Sequence, residues 1–70
     1  MKIKYEHIQK ETLERACRKQ ERKNIESTNK SLSWVSMSDI IYRRYVVGTE
    51  DNTITIKSEW REAISKNDFL

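Results

Sequence analysis

The stretch Ser36-Met37-Ser38-Asp39-Ile40-Ile41-Tyr42-Arg43-Arg44-Tyr45-Val46-Val47-Gly48 holds signals for both ends of a helix and for the face that helix buries. Ser36 can accept a hydrogen bond from an orphan first-turn amide. Asp39 stands three residues on, like the acidic half of a capping box, and Gly48 suits a left-handed residue past the end. The helix is expected from Met37 to Val47. Met37, Ile40, Ile41, Arg44 and Tyr45 follow the i, i+3, i+4, i+7, i+8 spacing of one face, which marks an amphipathic core helix. The capped amides at Ser36, Met37 and Ser38, ahead of Arg43 and Arg44, also make a place where a phosphate can be held.

A chain of 70 residues is expected to form one domain, and one this short buries a small fraction of its surface. Something must supplement the core. One cysteine allows no intrachain disulfide, and one histidine with one cysteine makes no structural zinc site. Self-association is the remaining supplement. Apolar and charged residues each make up 36% of the chain and the mean hydropathy is -0.91, yet two Trp, three Tyr and one Phe argue for a folded, soluble protein. No apolar run approaches the roughly 20 residues that span a bilayer, and MKIKYEHIQ lacks the apolar centre of a signal peptide. No membrane partner is expected, and the expected location is cytoplasmic, where a lone thiol is at home.

Charge is unevenly placed. Met1 to Lys30 holds nine Lys/Arg against five Glu, while Ser31 to Leu70 holds five Lys/Arg against six Asp/Glu. A basic half beside a near-neutral half suits an anionic partner such as nucleic acid, an acidic protein surface, or plain solubility.

Along the chain, Lys2-Ile3-Lys4-Tyr5-Glu6 alternates like a short half-exposed strand, with a frayed helix start as the alternative. A helix is expected from Gln9, with Leu13, Ala16, Cys17 and Gln20 as its inward stripe and Glu11/Arg15 and Glu14/Arg18 as favourable i, i+4 pairs. Arg15, Arg18, Lys19, Arg22 and Lys23 make much of its outer face positive. Their like-charge i, i+4 pairs oppose one another, which either a partner anion or solvation can relieve. Glu26 to Ser31 is rich in residues that compete with helical hydrogen bonding, so a loop is expected there. Asn29-Lys30-Ser31 matches a glycosylation acceptor, which carries no meaning without secretion. After Gly48, Thr49 to Asn52 reads as a turn. Thr53-Ile54-Thr55-Ile56-Lys57 is a β-branched strand candidate or a lead-in to the last helix. Ser58 is expected to cap a short helix in which Trp60, Ala63 and Ile64 share a face, with Asp68-Phe69-Leu70 fraying or docking on the core. The expected fold class is α+β, a small, mainly helical single domain.

Catalysis has little to work with. His7 would need a nucleophile and an orienting acid brought from elsewhere, and Cys17 on the inward stripe reads as a buried apolar residue. One glycine rules out a glycine-rich phosphate loop. No catalytic residues, cofactor or metal are expected, and the chain reads as a non-enzyme.

With these pieces in order, the chain resembles the ribbon-helix-helix (Arc/MetJ-like) DNA-binding proteins over residues 1–48. The family's strand looks like Lys2 to Glu6, its first helix like Gln9 to Lys19, and its Ser-x-Ser-Glu/Asp-Ile opening like Ser36-Met37-Ser38-Asp39-Ile40. The resemblance implies a homodimer whose paired strands enter the major groove of duplex DNA as a transcription repressor does. Lys2, Lys4 and Glu6 would then face outward, with Ile3 and Tyr5 turned inward. The amides after Ser36 would clamp a phosphate, with Arg43 or Arg44 adding charge. Two features depart from the family pattern: the long connection from Ser27 to Val35, and the residues after Gly48, which read as a C-terminal extension (49–70).

The competing class is a protein-binding inhibitor or adaptor that blocks a larger protein, with Trp34, Trp60, Tyr42, Tyr45 and Phe69 as anchors. A bare oligomerisation module would need a heptad repeat, which the sequence does not offer.

Overall fold

Four of the five residues in Thr53–Lys57 are β-branched, and this segment forms the middle strand of the sheet. The computed structural model describes residues 2–28 and 32–69, so the expectations on 29–31 and on Leu70 lie outside the described residues. Elements follow as β1 (Tyr5–Gln9), α1 (Lys10–Thr28), α2 (Trp34–Tyr45), β2 (Val46–Glu50), β3 (Thr53–Lys57) and α3 (Trp60–Ser65). The fold class is α+β, with an antiparallel sheet in the order β1-β3-β2.

Helices cover one face of that sheet. Leu13 and Cys17 of α1, Met37 and Ile41 of α2, Ile54 and Ile56 of β3 and Trp60 of α3 form the buried core between the layers. The segment 49–70 is therefore no appendage. It supplies the central strand and the largest core side chain, because β1 and β2 contact each other only through β3.

Helix α1 keeps its expected stripe, with Leu13 and Cys17 buried and Ala16 and Gln20 half-buried. It runs on through Glu26 to Thr28, where the composition predicts a loop. Ser27 Oγ donates to the Asn24 carbonyl at 3.4 Å, so its competing hydroxyl is satisfied inside the helix. Asn24 is itself buried, and its amide exchanges hydrogen bonds with Asn67 at 2.7 and 3.1 Å. Asn67 takes a left-handed φ of 57° just past α3, a conformation asparagine tolerates, and the amide pair fastens the end of α3 to α1.

Helix α2 starts earlier than its sequence signals. Ser33, not Ser36, is the cap: its backbone is extended and its Oγ accepts the Ser36 N–H at 3.1 Å. The helix also ends earlier, at Tyr45, because Val46 and Val47 enter β2, where β-branched side chains pack well. Gly48 is accordingly not a left-handed cap. It pairs with Thr55 beside a one-residue bulge between Val46 and Gly48. The turn narrows to Asp51-Asn52, with Asp51 supplying the positive φ of 53° that a two-residue hairpin loop requires.

Ser58 does not cap α3 either. Its N–H donates to the Lys4 carbonyl at 2.9 Å and extends the β1–β3 ladder, while Glu59 precedes the helix without a side-chain cap. Trp60 and Ala63 are buried and Ile64 packs against the core, as their shared face requires.

Two outcomes follow for urea denaturation. Trp60→Ala should cost about 3–5 kcal/mol, as a fully buried aromatic does. Ser33→Ala should cost about 1 kcal/mol and Ser36→Ala clearly less; the reverse order would return the cap to Ser36.

Candidate nucleic-acid interface

Which way β1 points is decided by its partners. Glu6 lies opposite Ile56 and Ile8 opposite Ile54, and cross-strand partners share a face. Both isoleucines of β3 are buried, so Glu6 and Ile8 face the helices. Tyr5, His7 and Gln9 face away. The strand also starts three residues later than expected, leaving Lys2, Ile3 and Lys4 ahead of it and exposed. The expected assignment of Glu6 outward and Tyr5 inward is thus inverted.

Glu6 has become a structural residue. Trp60 Nε1 donates to its Oε2 at 3.1 Å, and Arg61 donates from Nε to Oε2 and from Nη2 to Oε1, both at 3.0 Å. The forked contact suits a guanidinium against a carboxylate and ties β1 to α3. Arg61 also lies 4.9 Å from the Trp60 ring centroid. Hydrogen bonding from Arg61, aided by Trp60 and opposed by partial desolvation, holds the Glu6 carboxyl below its ordinary value of 4.5.

The phosphate seat expected at the start of α2 is filled from within. Trp34 N–H donates to Glu21 Oε2 at 2.8 Å, Ser36 N–H to Ser33 Oγ, and Met37 N–H to the Ser33 carbonyl at 3.0 Å. Glu21 of α1 thus supplies the anion that a helix N-terminus attracts. Met37 is fully buried and Ser38 half-buried, which removes Met37 from any outer surface. Arg43 pairs with Asp39 at 2.8 Å, whereas Arg44 is exposed and makes no ion pair among the described contacts.

On α1 the outward cations fall into two groups. Arg15 pairs with Glu11 at 2.8 Å; Arg18 reaches Glu14 at 3.7 Å and covers the Trp34 ring at 4.3 Å from its centroid. Lys19, Arg22 and Lys23 are exposed and have no such carboxylate among the described contacts. Lys19 has Arg15, Arg22 and Lys23 at its i−4, i+3 and i+4 positions, so its charged neighbours along the helix surface are cations. Lys2 and Lys4 line a shallow cleft with Ser58, Glu59, Arg61 and Glu62, where two carboxylates offset them.

The aromatic anchors expected of a protein inhibitor sit in or against the core: Trp60 is buried, and Trp34, Tyr42, Tyr45 and Phe69 pack on the cluster. Among the described residues, the large apolar ones that are exposed are Ile3, Tyr5, Ile25, Val35 and Val47. Sequence reasoning missed Tyr5 and His7 as an outward pair. Extending the strand to Gln9 and matching its alternation against Ile54 and Ile56 was the signal available.

Cys17 is buried, and desolvation, with the Glu14 charge adding to it, pushes its thiol up to about 11. Among the described residues no three His, Cys, Asp or Glu side chains gather as a metal site, and no helix is long and apolar enough to cross a membrane.

The lowered Glu6 pKa has a definite sign in stability. Its contribution is complete above the ordinary value of 4.5 and is lost as pH falls through the lowered native value. Glu6→Gln should remove that part of the acid-side decline in Tm. It should cost about 1–2 kcal/mol at neutral pH, the exposure of Arg61 moderating the loss. An unchanged acid limb would show that the contact adds nothing.

Protein-family models, characterised proteins and solved structures include no match to this chain, so its own surfaces carry the functional argument.

Proposed function

We propose that the chain is a small, non-enzymatic DNA-binding regulatory protein acting as a homodimer, with the outward face of α1 as its main contact to duplex. The observation that carries this reading is the cluster Lys19, Arg22 and Lys23, exposed and without a carboxylate at ion-pair distance among the described contacts. Arg15, Arg18, Arg43, Arg61 and Lys66 each have such a partner. Neighbouring cations on one helix repel one another, and a polyphosphate backbone relieves that repulsion while releasing its own counterions. Lys2, Lys4 and Arg44 add exposed charge elsewhere. A cytoplasmic setting goes with this role.

The ribbon-helix-helix resemblance supports the dimer, in an altered form. Strand β1 pairs with β3 of its own chain, and the bonds from Ser58 N–H to the Lys4 carbonyl and from Lys10 N–H to the Asn52 carbonyl set the phase of that ladder. By alternation, the backbone groups of Tyr5, His7 and Gln9 point to the other edge of β1. A second chain would add there as a neighbouring strand, with β3 remaining in place. The second reading, a protein-binding inhibitor or adaptor, is favoured by Val35, which is 57% exposed. It lines an open cleft with Ser38, Asp39, Tyr42 and Arg43.

Light scattering with and without a mixed-sequence duplex, at low and moderate salt, tests both parts. The proposed function predicts a dimer that takes up duplex with an affinity falling linearly in log salt. Lys19→Gln/Arg22→Gln/Lys23→Gln should flatten that slope by about 0.9 for each phosphate that is no longer neutralised. A triple variant that binds like the parent would remove α1 as the contact. A chain indifferent to duplex would shift the search to a protein target.

A further inference from the structure

The sheet face turned away from the helices carries Tyr5, His7 and Gln9 on β1 and Thr53, Thr55 and Lys57 on β3. Tyr5 is 49% exposed although it is aromatic and sits in a regular strand. His7 is exposed two residues on, so the two rings project from the same face with their Cα atoms about 6.8 Å apart, two rises of an antiparallel strand. Thr55 lies opposite His7, and its Oγ1 is 3.0 Å from His7 Nδ1, which holds the imidazole in place. Lys57 lies opposite Tyr5 and makes no ion pair among the described contacts.

Two exposed rings in line, a lysine beside the first and short hydroxyl and amide side chains around them are the parts of a platform for unpaired bases. Aromatic faces stack bases of any identity, hydroxyls and amides meet base edges, and a cation neutralises the backbone between them. The face is also graded in charge. Lys57 lies opposite Tyr5 at one end, whereas Glu50 and Asp51 lie at the hairpin turn beyond Thr53. Charge complementarity therefore places a polyanion over Tyr5 and His7 and away from the turn.

We propose that single-stranded nucleic acid lies across this open face, with consecutive bases stacked on Tyr5 and His7 and Lys57 neutralising a phosphate between them. The proposal takes its ligand class from the nucleic-acid reading of α1 but uses a different surface and an unpaired strand. Both rings are exposed, so their removal leaves the core intact.

The test is fluorescence anisotropy with a labelled oligothymidylate of about 12 nucleotides, within the usual reach of a small binding domain, run beside a labelled duplex. The parent should bind the oligothymidylate. Tyr5→Ala and His7→Ala should each weaken that binding roughly tenfold or more, and Tyr5→Phe, which keeps a stacking ring, should stay within about threefold of the parent. Matching thermal melts of the variants confirm that they fold. Failure of the parent to bind the oligothymidylate at low salt, or parent-like binding by Tyr5→Ala, overturns the proposal. Uptake of duplex alone overturns it while sparing α1. Uptake of the oligothymidylate alone, lost in Tyr5→Ala, supports it and overturns the α1 reading instead.

Discussion

Pairing of β3 with both of its neighbours is the interaction on which the rest of this protein depends. Ile54 and Ile56 of that strand face Ile8 and Glu6 on one side and Thr49 and Val46 on the other. They are buried under Leu13, Cys17, Met37 and Ile41. Without the strand, β1 and β2 have no common partner and the two long helices have no floor. A short chain meets its shortage of core by routing a late segment through the middle, so that one five-residue strand touches both layers.

Carboxylates act here mainly as internal fasteners. Glu6 joins β1 to α3 through Arg61 and Trp60, and Glu21 joins α1 to the first turn of α2. Glu11, Glu14, Asp39 and Glu62 pair with bases along their own helices. With so many carboxylates engaged close to home, the cations left over on α1 carry the chain's positive balance outward. Exposed pairs of this kind contribute little to stability, so their chief effect is on which surfaces stay charged.

Periodicity is readable where one face is plainly apolar. The stripe of α1, the Met37/Ile41 face of α2, the strand Thr53–Lys57 and the Trp60/Ala63 face of α3 all stand where the sequence places them. Boundaries are harder, because the deciding partner is distant. Ser33 and Ser36 are both plausible caps from local chemistry, and it is Glu21, thirteen residues before Trp34, that holds the earlier turn in place. Val46 and Val47 read locally as the end of a helix, and only β3 gives them a ladder. The orientation of Lys2 to Glu6 inverts for the same reason: alternation defines two faces, but only the register against Ile54 and Ile56 says which is inside. Of the site, the basic face of α1 is legible from helical spacing alone, whereas the outward pairing of Tyr5 with His7 requires that register.

The same topology sets a schedule for synthesis. Gln9 pairs with Thr53 and Tyr5 with Lys57, so β1 is made well before the strand it pairs with. At roughly 5–20 residues per second, that gap of about 50 residues lasts roughly 2–10 s. During that interval the nascent chain holds an unsheltered strand with two open edges, next to a helix whose cations are already displayed. The order in which this protein is made thus exposes its most adhesive backbone before its own sheet can cover it.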